Sequence, residues 1–294
     1  MKLSVIVPSL TGEVPGSVRR QTEGRDDVEL VVVEGMRPVG KARNAGLDRA
    51  QGEYVAWADS DDEVTEDWLA EILAAIERGP DVAFFDVKPE GWPCLGDLVY
   101  GGEGGLLPSA QVVRDVYENH RLQGHLFRIV SRRRLWDGLR FDTALAAWED
   151  FLLLPQVLLR AERVLYVPKT LYRYVCRPGS VMAGLAADGR LANAETAIRR
   201  WREAPLEYRP SALRGSLAGV YDSLQALALD PRCRLTGEQA ARARRCRLFL
   251  LRRCWRAGMG LHVFLRQALA GLDLWALQRL AHWYHFTYKP RRMR

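Results

Sequence analysis

Hydrophobic residues in the first third of the chain form short continuous runs that are separated by polar segments. The runs lie at residues 3–7, 28–34, 53–59 and 81–87. Apolar runs of this length, rich in β-branched residues, are typical of strands buried on both faces of a parallel sheet. Helical patterns lie between several of them, so this part of the chain predicts an α/β fold with a mostly parallel sheet flanked by helices.

The pattern changes along the rest of the chain. Residues 109–122 and 149–161 show helical periodicity, and residues 164–175 alternate around Pro168, which predicts an edge strand or a hairpin. Beyond residue 190 only helices are expected, because no strand pattern returns. They are predicted at residues 191–203, 211–228, 237–257 and 261–285. The α/β part is therefore expected to carry a C-terminal all-helical extension.

Charge separates the same two parts. Residues 1–190 carry 23 Lys and Arg against 29 Asp and Glu, whereas residues 191–294 carry 20 against 7. A basic extension on an acidic body favours contact of the extension with an anionic surface. The aromatic residues from Trp283 to Tyr288 suit adsorption to an anionic membrane leaflet, and a packed bundle with solvated arginines explains the pattern equally well. No recognition motif indicates a nucleic-acid partner.

Other whole-chain features bear on the compartment. The five cysteines form no Cys-x-x-Cys pair, so neither a disulfide framework nor a zinc ribbon is indicated. The first apolar run is too short for a signal peptide, and no stretch reaches the roughly 18 apolar residues of a membrane-spanning helix. These features predict a cytoplasmic protein, and the basic extension adds the hypothesis of peripheral attachment to the inner face of the cell membrane.

The most informative polar segment is Asp59-Ser60-Asp61-Asp62, which follows a buried hydrophobic run. Carboxylates at such a position cost desolvation free energy unless a cation or a hydrogen-bond donor compensates them. In an extended Asp-x-Asp segment both carboxylates point to the same side, which suits a divalent ion that also holds phosphates. Capping of the following helix is the alternative, and the tetrapeptide alone does not separate the two.

Further motifs occur in a fixed order around this segment. They are SVIVPS at 4–9, ELVVVE at 29–34, GKARNAGLDRAQGEYVAWADSDDEVTEDWL at 40–69, RRRLWDGLRFD at 132–142, AAWEDFLLLPQVLLRAERVLYVP at 146–168 and LYRYVCRPGSV at 171–181. Together they resemble the inverting glycosyltransferases of family 2, in particular bacterial transferases of polysaccharide and lipopolysaccharide synthesis. The likeness spans roughly residues 1–182, and an ordered set of motifs is more specific than any one of them.

The resemblance implies a fold and an activity. The fold is that of nucleotide-diphospho-sugar transferases of the GT-A type, and the reaction moves a sugar from a nucleotide diphosphate sugar, most often UDP-linked, to a glycan or lipid-linked glycan. It also implies three regions: a nucleotide-sugar-binding subdomain at 1–105, an acceptor-binding subdomain at 106–190 and a basic helical region at 191–294.

The family motifs assign residues to the donor. By this resemblance Asp61 is the expected direct ligand of Mn²⁺ or Mg²⁺, with Asp59 near the ribose or the metal, and the ion neutralises the leaving diphosphate. Pro8 and Ser9, at the end of the first strand, are expected to cradle the base. The other expected donor-binding residues are Glu34, Arg43, Arg177 and Ser180.

Several of these donor assignments have alternatives. Glu34 stands where the family usually has an Asp that binds the base, so its extra methylene leaves base identity and affinity open. Arg43 could instead make a structural ion pair. The segment with Arg177 and Ser180 could be a simple Pro-Gly turn, although a guanidinium there suits a diphosphate.

On the acceptor side the resemblance implies that Asp150 is the general base. Inversion requires a carboxylate on the face opposite the leaving group, where it takes the acceptor hydroxyl proton. Glu149 is the second candidate, and capping of the helix that follows is the structural alternative for both acids. Trp148 is expected to stack on an acceptor sugar, although a Trp with this spacing also suits a core.

Two other functions stay open from the sequence. One is a catalytically idle protein that binds a nucleotide sugar or scaffolds polysaccharide assembly, which the departure at Glu34 favours and the intact acids Asp59, Asp61 and Asp150 oppose. The other is a nucleotidyltransferase, which shares an acidic metal site but gives no reason for the motifs after residue 132.

Overall fold

A computed structural model of the chain describes residues 1–91, 97–118, 122, 124–177, 185–229 and 233–254. The chain divides into two compact units, Met1–Gly184 and Leu185–Arg294. Strands lie in the first unit, and the described part of the second unit is helical. Ser180 and the predicted helix at 261–285, with its aromatic C-terminal end, lie outside the described residues.

The described part of the first unit contains one eight-stranded sheet. In chain order the strands are β1 (Leu3–Ser9), β2 (Val28–Glu34), β3 (Tyr54–Trp57), β4 (Glu63–Val64), β5 (Val82–Glu90), β6 (Gly105–Pro108), β7 (Ile129–Arg132) and β8 (Arg163–Val175). Their order across the sheet is β2-β1-β3-β7-β5-β8-β4, and β6 pairs with β8. Every residue of β1 is buried, as expected for a central strand covered on both faces.

Strand directions make this a mixed sheet. β1 is parallel to β2 and β3, and β5 is parallel to β8, whereas β7 is antiparallel to both β3 and β5. The short strands β4 and β6 are antiparallel to β8. The predicted α/β fold is confirmed, but its parallel character is limited to these three pairings. An apolar run reports the burial of a strand and carries no information on its direction.

The segment around Pro168 also differs from its prediction. Residues of β8 form one continuous strand of 13 residues instead of an edge strand or a hairpin. Its register with β5 shifts where Phe85 pairs with Val167 and Asp86 with Thr170, so a bulge accommodates Pro168. A bulge removes the need for a backbone N–H at the proline, which is why the strand continues through it.

Eight helices occur among the described residues. The first unit holds α1 (Gly16–Thr22), α2 (Val39–Arg49), α3 (Trp68–Glu77), α4 (Ser109–Glu118) and α5 (Glu149–Leu158), and the second holds α6 (Ala187–Glu203), α7 (Arg209–Leu229) and α8 (Gly237–Cys254). The predictions of helices at 191–203, 211–228 and 237–257 are confirmed, with ends that differ by a few residues.

Helix α2 lies very close to β1. A Cβ atom at Gly46 would lie 2.4 Å from Ile6 Cγ2, so only glycine allows this approach. Because β1, β2 and β3 are parallel, their C-terminal ends meet at one edge of the sheet, and α2 begins at that edge after β2. The close packing therefore sets the first turns of α2 beside the segments that follow β1 and β3.

In the second unit, α6, α7 and α8 pack against one another. Arg242 of α8 joins two acids of α6, with 2.7 Å between its Nη2 and Glu195 Oε2 and 2.9 Å between its Nη1 and Asp188 Oδ1. Across the described ranges of the chain, no helix combines the length and the apolar character needed to cross a membrane.

Candidate active site

The acidic segment after β3 forms a turn rather than an extended strand. The Asp62 N–H lies 3.3 Å from the Asp59 carbonyl oxygen, with Ser60 and Asp61 at the corner. The expectation of an extended Asp-x-Asp segment is therefore wrong, and the argument from side-chain alternation does not apply. Capping by Asp62 is not observed either, because α3 starts later and its N-cap residue is Asp67.

Tyr172 of β8 holds this turn in place. The Asp59 N–H donates to the Tyr172 hydroxyl oxygen at 3.0 Å, and the same hydroxyl donates to Asp62 Oδ2 at 2.9 Å. The Val175 N–H donates to Asp62 Oδ1 at 2.8 Å. Asp62 is thus a buried anchor of the turn, whereas Asp61 is exposed and the side chain of Asp59 is 27% exposed.

Crowding of these carboxylates changes their proton affinity. Burial, followed by the charge of Asp59, raises the pKa of Asp62 to about 8. Partial loss of hydration in the crowded turn, followed by the charge of Asp59, also raises the pKa of Asp61, and the charge of Arg177 opposes this shift. Neighbouring carboxylates repel each other when both are ionised. A divalent cation bound to them stabilises the ionised forms, so this arrangement suits a metal site.

Arg43 of α2 connects the acidic turn to the start of α5. Its side chain is only 7% exposed, its Nη2 lies 3.2 Å from Asp59 Oδ1, and its Nη1 contacts Glu149 Oε1. Burial alone would lower the pKa of Arg43, but the negative charges of Glu149 and Asp59 outweigh it and the pKa is raised. The guanidinium expected at the donor is therefore placed between two carboxylates.

The neighbouring residue Asn44 fixes the chain that leads to α5. Its Nδ2 donates to the Phe141 carbonyl oxygen at 3.0 Å, and its Oδ1 accepts the Phe141 N–H at 2.9 Å. Gly40 permits the close approach of this chain, since a Cβ atom there would lie 3.2 Å from the Asp142 carbonyl oxygen. The first turns of α2 thus position the residues around 141–149.

Helix α5 begins with the two acids expected at the catalytic centre. Glu149 is buried and forms an ion pair with Arg43. Asp150 is half-buried, and its Oδ1 accepts a hydrogen bond from the Phe151 N–H at 2.7 Å. Burial and then the negative charge of Glu149 raise the pKa of Asp150 to about 7, while Arg43 opposes the shift. Asp150 therefore changes its charge near neutral pH.

Trp148, immediately before these acids, has a left-handed backbone with φ of 67°. This conformation favours glycine and costs a bulky residue roughly 1–3 kcal/mol. The indole ring is half-buried and lies 4.9 Å from the ring of Phe151. Its strained backbone and partial exposure beside Asp150 favour a role at the site over a core role.

A cluster of aromatic side chains packs beside the acidic turn, which Tyr172 contacts directly. The ring of Tyr174 lies 5.0 Å from that of Phe127, which in turn lies 5.0 Å from His125. Burial and then the charges of Asp59, Asp62, Asp150 and Asp61 raise the pKa of Tyr174, so its hydroxyl stays protonated among the carboxylates.

Burial and the charges of Arg128 and Arg43 lower the pKa of His125 to about 3, so this imidazole is neutral. Sequence analysis assigned no role to His125, Tyr172 or Tyr174. The two tyrosines are two residues apart on one strand and therefore share a face, a signal that was present in the sequence.

A second group of expected residues lies at the ends of β1 and β2. Pro8 and Ser9 end β1, and Ser9 pairs with Glu34 in the register. The Ser9 hydroxyl is buried and finds no hydrogen-bond partner among the described residues. Glu34 is exposed, and its carboxylate lies over Gly12, where a Cβ atom would come within 2.9 Å of Oε2.

Residues 14–94 match the family model described as Glycosyl transferase family 2. The resemblance to family 2 glycosyltransferases that the sequence motifs indicated is thereby confirmed. The chain is similar to glycosyltransferase GlyA of Streptococcus pneumoniae, with 28% identity over 191 residues that cover 60% of this chain and 27% of GlyA. It is also similar to the succinoglycan biosynthesis protein ExoO of Rhizobium meliloti, with 31% identity over 185 residues that cover 59% of this chain and 53% of ExoO.

Solved structures share the fold of this chain. The crystal structure of S. aureus TarS residues 1–349 covers 97% of this chain and 91% of its own length, with 17% identity and a TM-score of 0.66. A complex of the same protein with UDP-GlcNAc covers 93% and 92%, with 18% identity and a TM-score of 0.57. The predicted GT-A type of fold is confirmed. The chain spans about half or less of the length of its curated relatives.

The expected residues fall into two groups in the structure. Direct contacts link Asp59, Arg43 and Glu149, with Asp150 next along α5. The residues at the ends of β1 and β2 form the other group. Arg177 is exposed, and its charge acts on Asp61.

Proposed function

We propose that the chain is an inverting glycosyltransferase that moves a sugar from a nucleotide diphosphate sugar to a glycan or lipid-linked glycan. The supporting observation is the bridge through Arg43, which joins the acidic turn at Asp59 to the paired acids Glu149 and Asp150. Arg43 thereby holds the proposed site for the metal-bound diphosphate next to the proposed base for the acceptor. The family 2 domain and the relatives in glycan synthesis agree with this reaction.

Asp61 and Asp59 fit a divalent ion, Mn²⁺ or Mg²⁺. Among the residues that the structure describes, no group of three His, Cys, Asp or Glu side chains could hold a metal ion. A hard cation of this kind is held through one or two carboxylates, with water and substrate phosphates as its other ligands. When bound, such an ion neutralises the leaving diphosphate. Asp62 is less suited as a ligand, because it is buried and each of its carboxylate oxygens already accepts a hydrogen bond, from Tyr172 or from Val175.

Asp150 is the base of the proposed reaction, and Glu149 is a positioning residue. Glu149 is committed to Arg43, whereas the pKa of Asp150 of about 7 suits proton removal near neutral pH. The acceptor hydroxyl oxygen attacks the anomeric carbon from the face opposite the diphosphate, and its proton passes to Asp150. The bond from the anomeric carbon to the diphosphate oxygen breaks, and the diphosphate leaves with that electron pair.

Donor recognition is assigned to the edge formed by β1 and β2. The buried Ser9 hydroxyl, unpartnered within the described ranges, fits a ligand group that completes its hydrogen bonding. Glu34 is assigned to accept a base N–H, and Pro8, which pairs with Val33 of the adjacent strand, is assigned to cradle the base. Arg177 and Ser180 are assigned to the diphosphate. A UDP sugar is the proposed donor, in line with the TarS complex with UDP-GlcNAc.

Trp148 is the proposed acceptor contact, because its half-exposed indole precedes the base and can stack on a sugar ring. The test is a panel of nucleotide sugars incubated with Mn²⁺ and glycan acceptors, with transfer and sugar release as readouts. Turnover of one donor supports the proposal. Tight, metal-dependent binding of a nucleotide sugar without any turnover would favour the idle binding protein instead. Consumption of added pyrophosphate, with formation of a nucleoside triphosphate and a sugar 1-phosphate from the nucleotide sugar, would favour the nucleotidyltransferase.

A further inference from the structure

A pocket of about 480 Å³ lies between α1 and the acidic turn. Its lining includes Glu13, Ser17, Arg19, Arg20, Ser60 and Arg177. The volume falls within the roughly 300–1,000 Å³ of small-molecule sites. None of the residues assigned above to the nucleotide base, to proton removal or to the acceptor ring lines this pocket. It meets the proposed active site only at the acidic turn and at Arg177.

Charge in this pocket is not balanced by the acids around it. The side chains of Arg19 and Arg20 make no hydrogen bond or ion pair within the described ranges. Glu63, which also lines the pocket, has its Oε2 2.7 Å from Arg173 Nη1. Asp62 accepts hydrogen bonds from Tyr172 and Val175. Two guanidinium groups are therefore available to an anionic ligand.

The arginines stand on a helix that is fixed to the body of the domain. Gln21 Nε2 donates to the Thr65 carbonyl oxygen at 2.8 Å, and Gln21 Oε1 accepts the Leu69 N–H at 2.9 Å. The Val64 N–H donates to Ser17 Oγ at 3.1 Å. Because α1 is anchored at both of these positions, binding requires no further ordering of the helix backbone.

We propose that this pocket binds a phosphorylated sugar or polyol, separately from the nucleotide sugar. Arg19 and Arg20 pair with the phosphate, since planar guanidinium groups match phosphate oxygens. The exposed carboxylate of Glu13 accepts hydrogen bonds from hydroxyl groups of the same ligand. A carboxylate beside two arginines disfavours a ligand that is anionic throughout and favours one with both a phosphate and hydroxyl groups.

The probe is sn-glycerol 3-phosphate, titrated by calorimetry at low salt into the full chain saturated with UDP and Mg²⁺. We expect binding, with affinity at least tenfold lower in the double variant Arg19→Gln/Arg20→Gln. Arg78→Gln is the matched control, because Arg78 is exposed, lies outside the pocket and has no side-chain partner in the described part of the chain. Melting temperatures establish that each variant is folded, and the single variants repeat the test should the double variant unfold.

Glu13→Gln separates the two halves of the ligand. It should weaken binding of glycerol 3-phosphate while leaving binding of inorganic phosphate equal or stronger, because a negative charge near the phosphate is removed. Glycerol without phosphate should not bind.

Two results would overturn the proposal. One is glycerol 3-phosphate binding that is unaffected by the double variant. The other is a loss of UDP affinity in that variant, which would place the arginines at the donor diphosphate. A chain that binds the probe but transfers no sugar would refute the proposed function and leave this site standing.

Discussion

The role of Asp150 depends on its neighbours more than on its own acidity. Glu149, one residue earlier, is buried and its charge is taken up by Arg43. Asp150 keeps a half-exposed carboxylate whose pKa is raised to about 7 by burial and then by the charge of Glu149. Two adjacent acids thus acquire different tasks because only one of them has a cationic partner.

Asp150→Asn should lower sugar transfer by roughly 10²–10⁴, the range of general-base catalysis. Asparagine keeps the shape and can still accept the Phe151 N–H, so UDP affinity and melting temperature should stay unchanged. Proton removal matters only as the new bond forms, and donor binding precedes it. Transfer assays and calorimetry with UDP measure both. Near wild-type transfer in this variant would exclude Asp150 as the base.

The pH dependence of transfer follows from the same residue. Asp150 accepts a proton only when ionised, so kcat should fall as the pH drops below about 7. Glu149→Gln removes a negative charge that raises this pKa and leaves Arg43 less neutralised. Both changes favour ionised Asp150, so the acidic limb should move to lower pH.

The control for this pH experiment is Glu71→Gln, a change in an acid whose partner is Lys169. Its acidic limb should match that of the wild-type chain. A Glu149→Gln profile with an unmoved limb would show that Asp150 does not set the limb.

At the scale of elements, β8 is the strand that organises the acidic turn. Tyr172 accepts the Asp59 N–H and donates to Asp62, while Val175 donates to the other oxygen of Asp62. The Tyr172 ring stacks on Phe127 at 4.5 Å, so its position is set by the core. These hydrogen bonds hold the turn that contains Asp61 in a fixed position on the sheet.

Tyr172→Phe should weaken metal-dependent UDP binding as well as stability. The change keeps the ring but leaves the part-buried Asp59 N–H and a buried Asp62 carboxylate oxygen unpaired, at a cost of about 1–3 kcal/mol. Urea unfolding and calorimetry with UDP and Mn²⁺ measure the two effects.

The matched control is Tyr54→Phe, because the Tyr54 hydroxyl donates to the Pro80 carbonyl oxygen at 2.7 Å in another part of the sheet. It should lose stability and keep UDP affinity. Equal UDP affinity in the two tyrosine variants would show that Tyr172 only stabilises the fold.

Charge distribution matters at the scale of the whole molecule. Residues 191–294 carry 20 basic against 7 acidic side chains, yet not every arginine is available. Arg242 is held by two acids of α6. One face of α8 is exposed, and its C-terminal half includes Arg244, Arg245, Leu248 and Arg252.

This exposed face predicts binding to anionic vesicles. An arginine near such a surface contributes about 1 kcal/mol, so changing Arg244, Arg245 and Arg252 to Gln should weaken binding roughly 100-fold. Sedimentation with anionic and neutral vesicles at two salt concentrations measures it, and salt should release the protein.

A control for the vesicle experiment replaces exposed arginines of the first unit. These are Arg25, Arg78 and Arg140. The control should bind as the wild-type chain does. Equal binding to neutral and anionic vesicles would contradict this prediction. It would favour the alternative in which the helices form a packed bundle and the arginines are only solvated.

Local patterns in the sequence were enough to find most elements and the acidic segment. The apolar runs located β1, β2, β3 and β5, and helical periodicity located α4 through α8. Burial and periodicity depend on residues close together in the chain, which explains their success. The confirmed fold type came from ordered motifs, each of them also local.

Only the tertiary structure decided which acids are paired and which are not. The contacts between Arg43 and Glu149 and between Tyr172 and Asp62 join residues 106 and 110 positions apart. The antiparallel course of β7 and the pocket beside α1 depend on equally distant segments. A sequence pattern determines which side chains are buried and how far apart they lie along one element. Which charge meets which depends on the packing of whole elements, and no local pattern contains that information.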